Sequence, residues 1–123
     1  MKHYLTVKKY PVQQLEKHII KLNEITDLIA FHFGESRQSI KSNSRHGNVV
    51  KARNFIIYFL HLYLRQKIDP ESMKHRVIGL YLGRDRLTIR HHQLNIHFLI
   101  NNDKQYIKDY FTINNQLRNN DFI

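Results

Sequence analysis

The sequence contains no cysteine, and this absence excludes several kinds of chemistry. Its 123 residues offer no thiol for nucleophilic catalysis, no disulfide and no sulfur ligand for zinc. Glycine and proline are also scarce, with four and two residues, so no linker rich in either divides the chain. We therefore expect one domain over residues 1–123, because a chain of this length can bury a single adequate core.

Long apolar runs are missing as well. No stretch approaches the roughly 20 apolar residues that cross a bilayer. The first ten residues, Met1–Tyr10, hold three lysines and no apolar segment of the kind found in signal peptides. These absences predict a cytoplasmic protein that does not enter the membrane.

Acidic residues are outnumbered two to one, which gives a formal charge of +10. The excess is concentrated, because Arg37–His92 holds 12 basic and 3 acidic residues, whereas the segments before and after it are nearly neutral. Nucleic acid is the polyanion that a small basic domain most often meets, although an anionic membrane surface or simple solubility would also fit the charge. The clustering favours nucleic acid.

Apolar residues recur at intervals of three and four, which predicts an all-α compact bundle of about five to six helices. Gly34 is expected to cap the first helix, while Asp69 and Asp85 are expected at the N-termini of later ones. The predicted segments are Pro11–Phe33, as one helix or two abutting ones, a helical turn near Ser39–Ser42 within a loop over Glu35–Asn48, a central buried helix Val49–Leu64, and the helices Glu71–Leu82, Arg86 to about Ile100, and Lys104–Leu117, the last two separated by a break at Asn101–Asp103.

Two of these helices form a helix-turn-helix candidate, because only Gly83-Arg84-Asp85 separates them. In such a motif the second helix enters the major groove with its N-terminal residues against the base edges. Arginine can bond guanine, aspartate can accept from cytosine, and leucine or a threonine methyl can contact thymine. The predicted major-groove residues are Arg84, Asp85, Arg86, Leu87, Thr88, Arg90 and His91.

The same stretch matches a family signature. Residues 82–91, Leu-Gly-Arg-Asp-Arg-Leu-Thr-Ile-Arg-His, resemble the Gly-Gly-Arg-Asp-His-Thr-Thr-Val-x-His motif of the C-terminal DNA-binding domain of the bacterial replication initiator DnaA. Residues 50–60 are similar to that domain's Pro-Arg-Gln helix, with Arg53 on the family arginine. The resemblance covers roughly Lys21–Leu117 and leaves residues 1–20 as an N-terminal extension.

The resemblance implies a stand-alone protein that reads a short double-stranded DNA site and acts in replication initiation control or transcription regulation. It assigns Arg84, Asp85 and Thr88 to the major groove and Arg53 to the minor groove. Basic residues nearby in the sequence are predicted phosphate contacts: Arg37, Lys41, Arg45, Lys51, Lys74 and Arg76. This chain departs from the motif at Ala52, Arg86 and Leu87, so its preferred site should differ from the initiator's own.

Other interpretations of these residues remain open. Arg53 can form a structural ion pair with Glu35 or Glu71, and Arg84 with Asp85 can be a turn ion pair and helix cap. A degenerate helix-turn-helix can also bind RNA, or can serve as a protein interaction module through an apolar surface formed by Leu87, Phe98 and Phe122.

An enzyme is not expected. The acidic residues are dispersed, no phosphate-cradling G-x-x-x-x-G-K-[ST] loop for a nucleotide cofactor occurs, and the full ATPase of an initiator is missing. Neither His91 nor His92 has a histidine or carboxylate four residues later, so we expect no metal and no other cofactor.

Overall fold

The computed structural model describes the backbone of residues 2–123 and the side chains from residue 10 onward. Within these residues the chain forms six helices and no strand, which confirms the all-α class and the predicted number of helices. The helices are α1 (Lys2–His32), α2 (Arg37–Lys41), α3 (Gly47–Leu64), α4 (Glu71–Leu82), α5 (Arg86–Asn102) and α6 (Lys104–Asn119).

Helix α3 is the centre of the bundle, as its nearly continuous apolar sequence predicts. It begins at Gly47, two residues before the predicted start, and it packs against α1, α4 and α5. Phe55 and Phe59 on α3 are fully buried and stack on Tyr106 and Tyr110 of α6, with ring centroids 5.3 and 5.8 Å apart. These two tyrosines are partly buried and pack against the core.

Helix α1 differs from the prediction at its N-terminal end. It runs without interruption from Lys2 to His32, with Pro11 inside it, so the expected start at Pro11 is wrong. Proline removes one helical hydrogen bond, but here its ring is buried beside the α4–α5 turn, and packing outweighs the intrinsic preference. At the other end Gly34 has a φ of 72°, as its predicted capping role requires.

No described helix is both long and apolar enough to cross a membrane.

Of three further predicted helix boundaries, one is confirmed, one is confirmed in part and one is wrong. Asp85 caps α5 by accepting from the backbone N–H of Thr88 at 2.8 Å. Of the predicted break at Asn101–Asp103, only Asp103 is outside a helix, and its carboxylate caps α6. The predicted capping by Asp69 is wrong, because Pro70 occupies the N-cap position and the Asp69 carboxylate faces solvent.

The connection between α4 and α5 is tight because of two glycines. Gly83 ends α4 in the left-handed region, with a φ of 72°. Gly79, one turn earlier, lies so close to the turn that a Cβ atom there would be 2.3 Å from the carbonyl oxygen of Arg84. The backbone N–H of Arg84 also donates to the Gly79 carbonyl at 2.8 Å. The packing of the turn against α4 thus requires glycine, which has no side chain, at position 79.

We expect Gly79→Ala to lower the free energy of unfolding by about 1–3 kcal/mol, because the new methyl group meets backbone that cannot rotate away. Gly47→Ala is the matched control, since that helical glycine has open space around it and alanine favours helix. Urea denaturation of both variants measures the difference. Equal stability of the two would show that the turn can shift at no cost.

A buried ion pair joins α6 to the rest of the bundle. Asp109 lies 2.6 Å from the Lys51 ammonium of α3 and 3.2 Å from the His32 imidazole of α1. Burial by itself raises the pKa of Asp109, but hydrogen bonds from Lys51, His32 and Gln105 outweigh that effect and hold the pKa below its usual value. The folded state therefore favours the ionised carboxylate.

A carboxylate whose pKa is lower in the folded state stabilises the protein above its unfolded pKa, and this contribution is lost as pH falls through the folded value. We expect Asp109→Asn to cost about 1–3 kcal/mol at pH 7. The difference from the wild type should shrink between about pH 5 and pH 2. Chemical denaturation across this range tests it, with Asp121→Asn at an exposed position as the control. A difference that stays constant with pH would contradict the assigned role of Asp109.

Candidate nucleic-acid interface

The seven residues predicted for the major groove occupy the α4–α5 turn and the first two turns of α5. Helix α5 turns Ile89 fully into the core, so the residues on its opposite side face outward. Thr88 and Arg84 are half-buried. The remaining five are exposed: Asp85, Arg86, Leu87, Arg90 and His91.

Asp85 caps its own helix, α5, and does not pair with the neighbouring Arg84. Its carboxylate accepts from both the backbone N–H and the hydroxyl of Thr88, at 2.8 and 3.2 Å. These bonds lower the pKa of Asp85, with the backbone N–H contributing most. The alternative of an Arg84–Asp85 ion pair is wrong, because Arg84 bonds to backbone carbonyls. The helix cap that this alternative included is confirmed.

Two arginines, one from a helix and one from a turn, converge on one carbonyl oxygen. Arg53 of α3 donates through Nη2 to the oxygen of Ser42 at 3.1 Å, and Arg84 donates to the same atom at 2.9 Å. Arg53 also bonds the carbonyls of Ile40 and Ser44, and Arg84 that of Leu82. Together they fasten the loop between α2 and α3 to the turn between α4 and α5.

The position of Arg53 bears on two sequence predictions, a structural ion pair and a contact with the minor groove. Its predicted ion pair with Glu35 or Glu71 is wrong, because its partners are backbone carbonyls. Arg53 is only 6% exposed, so reaching a minor groove would require breaking these bonds. Burial, and then the nearby charge of Arg84, lower the pKa of Arg53. In this structure Arg53 positions the loop.

Two surface depressions flank the α4–α5 turn, and Arg84 lines both of them. The first, about 560 Å³ in volume, lies between α5 and the loop, where Arg45, Arg53, Thr88 and His92 contribute to its wall. The second has Arg76 and Arg86 beside the buried Pro11. Asp85 is the only carboxylate among the described residues that line either depression. We call the surface formed by Arg45, Arg76, Arg84, Arg86 and Arg90 the turn surface.

The six predicted phosphate contacts differ in whether another side chain of the protein already interacts with them. Three are in ion pairs within the protein: Arg37 with Asp27, Lys51 with Asp109, and Lys74 with Glu71. Lys74 is also buried, so it is not presented to a ligand. Lys41 lies over the ring of Tyr81, 4.0 Å from its centroid. Arg45 and Arg76 are exposed and form no ion pair with the side chains described from residue 10 onward.

Sequence reasoning missed a cluster of histidines with a carboxylate. His61 of α3 lies beside Glu71 and His75 of α4, and one nitrogen or oxygen atom from each lies within 4.8 Å of the others. Glu71 and His75 are four residues apart on one helix, a spacing that the sequence displays. The third member could not be found by spacing, because the bundle fold brings it from α3.

The comparisons with known proteins add no relative. A scan of protein-family models and searches of curated proteins and of solved structures find no match to this chain. The class of the fold, an all-α bundle, is what the observations above establish.

We expect Arg53→Lys to loosen the loop between α2 and α3, because lysine keeps the charge but lacks the planar fork whose separate nitrogens reach the carbonyls of Ile40, Ser42 and Ser44. The free energy of unfolding should fall by about 1–3 kcal/mol, and amide hydrogen exchange should accelerate over residues 42–46. Arg45→Lys is the control, since its exposed side chain should change stability by less than about 0.5 kcal/mol. Unchanged exchange in Arg53→Lys would mean that the loop is held by other contacts.

Proposed function

We propose that this protein binds double-stranded DNA sequence-specifically, with α4 and α5 as a helix-turn-helix and α5 in the major groove. The observation that carries the proposal is the turn surface, where five arginines surround the exposed start of α5 with a single carboxylate. Cationic side chains that are not paired within the protein are available to phosphates. The resemblance of residues 82–91 to the DnaA motif supports the same assignment.

The outward side of α5 has the chemistry of base-edge recognition. Arg86 and Arg90 are one turn apart on an exposed face, and Leu87 and His91 form the adjoining row. Arginine forks favour guanine, and leucine favours the thymine methyl group. Because Asp85 is already occupied in capping α5, its role in this proposal is to hold the helix start, with any base contact made by its remaining acceptor capacity.

Flanking arginines supply the contacts that set affinity. Arg45 lies on one side of the turn and Arg76 on the other, so a duplex that received α5 would pass its backbones near both. Phosphate contacts fix register and carry no sequence information. Occupancy of a short site, in replication initiation control or in transcription regulation, is the function that this arrangement serves.

We expect duplex binding with a strong dependence on salt. If about five phosphates are neutralised, log K should fall with log[salt] at a slope of about −4 to −5. On a site selected from randomised duplex, Arg86→Ala should cost about 1–3 kcal/mol and relax the sequence. Arg45→Ala should instead weaken all sequences alike and lower the slope by about one. Fluorescence anisotropy at four salt concentrations measures both effects.

Lys108→Ala is the matched control, because this lysine is exposed on α6 and should leave affinity unchanged. Single-stranded DNA and structured RNA are the comparison ligands. Preference for RNA would replace the proposal with RNA binding through the same surface. Absence of duplex binding at low salt, or identical effects of Arg86→Ala and Lys108→Ala, would contradict the proposal.

One observation favours a second candidate, a protein interaction module. Leu87, Leu94 and Phe98 form a row along α5, and they are 62%, 58% and 63% exposed. Exposed apolar rows of this kind occur at protein interfaces. Phe122, the third residue predicted for such a surface, is instead half-buried and contacts Lys21. Sedimentation of wild type and Phe98→Ser would detect association along this row.

A further inference from the structure

A compact polar cluster lies between α3 and α4, outside the turn surface. His61 and His75 stack with ring centroids 5.5 Å apart, and Glu71 contacts the Nε2 atom of His61. The His75 Nε2 atom lies 4.0 Å from the same Glu71 oxygen. The side chains of the two histidines are 13% and 8% exposed, whereas that of Glu71 is 57% exposed. Two imidazoles and a carboxylate thus meet at the edge of the core.

We propose that His61, Glu71 and His75 bind a divalent transition-metal ion, with zinc as the best match to these ligands. Imidazole nitrogen and carboxylate oxygen are ligands of zinc, and three protein ligands with a fourth position for water form a common arrangement. The site would join α3 to α4 across the connection at residues 65–70. This proposal does not depend on DNA binding.

The ligand atoms need only a small rearrangement to hold an ion. Zinc bonds of about 2.0–2.1 Å place tetrahedral ligand atoms about 3.4 Å apart. The separation of 4.0 Å between His75 Nε2 and Glu71 is therefore slightly too long, while the contact with His61 is too short. Glu71 is the most exposed of the three, so its side chain can move to correct both.

Two neighbouring side chains contact these ligands. Gln93 of α5 lies 2.6 Å from His75 Nε2 through its oxygen and 3.2 Å from His61 Nδ1 through its nitrogen. The first of these contacts occupies the nitrogen that faces Glu71, so the Gln93 side chain must turn away from His75 when an ion binds there. Lys74 holds the second carboxylate oxygen of Glu71 at 3.2 Å, and a partner on the atom that the ion leaves free fixes the orientation of a ligand.

The alternative is that the same residues form only a hydrogen-bond network. The two cases differ in proton release, because an ion at His61 Nε2 must replace the proton that otherwise bonds Glu71. Metal affinity should then weaken as pH falls. A network without an ion-binding role gives no such linkage.

The test uses the full chain stripped with a chelator, then titrated with Zn²⁺ by calorimetry and with Co²⁺ by absorption spectroscopy. We expect one ion per chain, an intense tetrahedral-type Co²⁺ spectrum, and a melting temperature that rises with Zn²⁺. His61→Gln and Glu71→Gln should each weaken binding tenfold or more. His46→Gln, at an exposed histidine on the α3 N-cap, should leave binding unchanged.

Circular dichroism shows whether each variant remains folded. Glu71→Gln should remain folded, because it alters the most exposed of the three ligands. A pale octahedral Co²⁺ spectrum would overturn the proposal. So would equal Zn²⁺ affinity in Glu71→Gln and His46→Gln, or an affinity that does not change between about pH 7.5 and pH 5.5.

Discussion

The carbonyl oxygen of Ser42 is the atom on which the candidate interface depends. It accepts from Arg53 and Arg84, and neither guanidinium has a carboxylate within ion-pair distance among the side chains described from residue 10 onward. Two positive charges held this close by neutral carbonyls leave an uncompensated positive potential, which is favourable only beside water or an anion. The same bonds that fasten the loop to the turn therefore concentrate positive charge on this surface.

Much of the fold could be predicted from the sequence because its signals are local. The apolar pattern of Val49–Leu64 indicated the central helix, and Asp85 indicated the start of α5. Where prediction failed, packing decided. Pro11 was expected to begin a helix but lies within one, because burial beside the α4–α5 turn outweighs its intrinsic cost. Asp69 was expected to cap α4, yet the neighbouring Pro70 takes that place.

The location of the candidate site could be predicted from the sequence, but the ion pairs that its basic residues form within the protein could not all be predicted. Basic residues clustered in sequence, and Arg45, Arg76, Arg86 and Arg90 are exposed together around one turn. The pair of Lys74 with Glu71 has the spacing of three residues that places both side chains on one helix face, so it could have been predicted. Spacing could not reveal that Lys51 is paired with Asp109, because that carboxylate approaches through tertiary packing. The role of Gly79 was hidden for a related reason, since a close backbone approach leaves no pattern in the sequence.

The bond between Arg84 and Ser42 joins residues 42 positions apart, and this separation has a consequence for the order of folding. Contacts between distant residues form only after the chain has lost the entropy of closing the loop between them. During synthesis the Ser42 carbonyl emerges long before Arg84, so only Arg53 can bond it at first. We expect the core around α3 to form early and the turn surface last, so that the chain acquires its anion-attracting face only when α5 has docked.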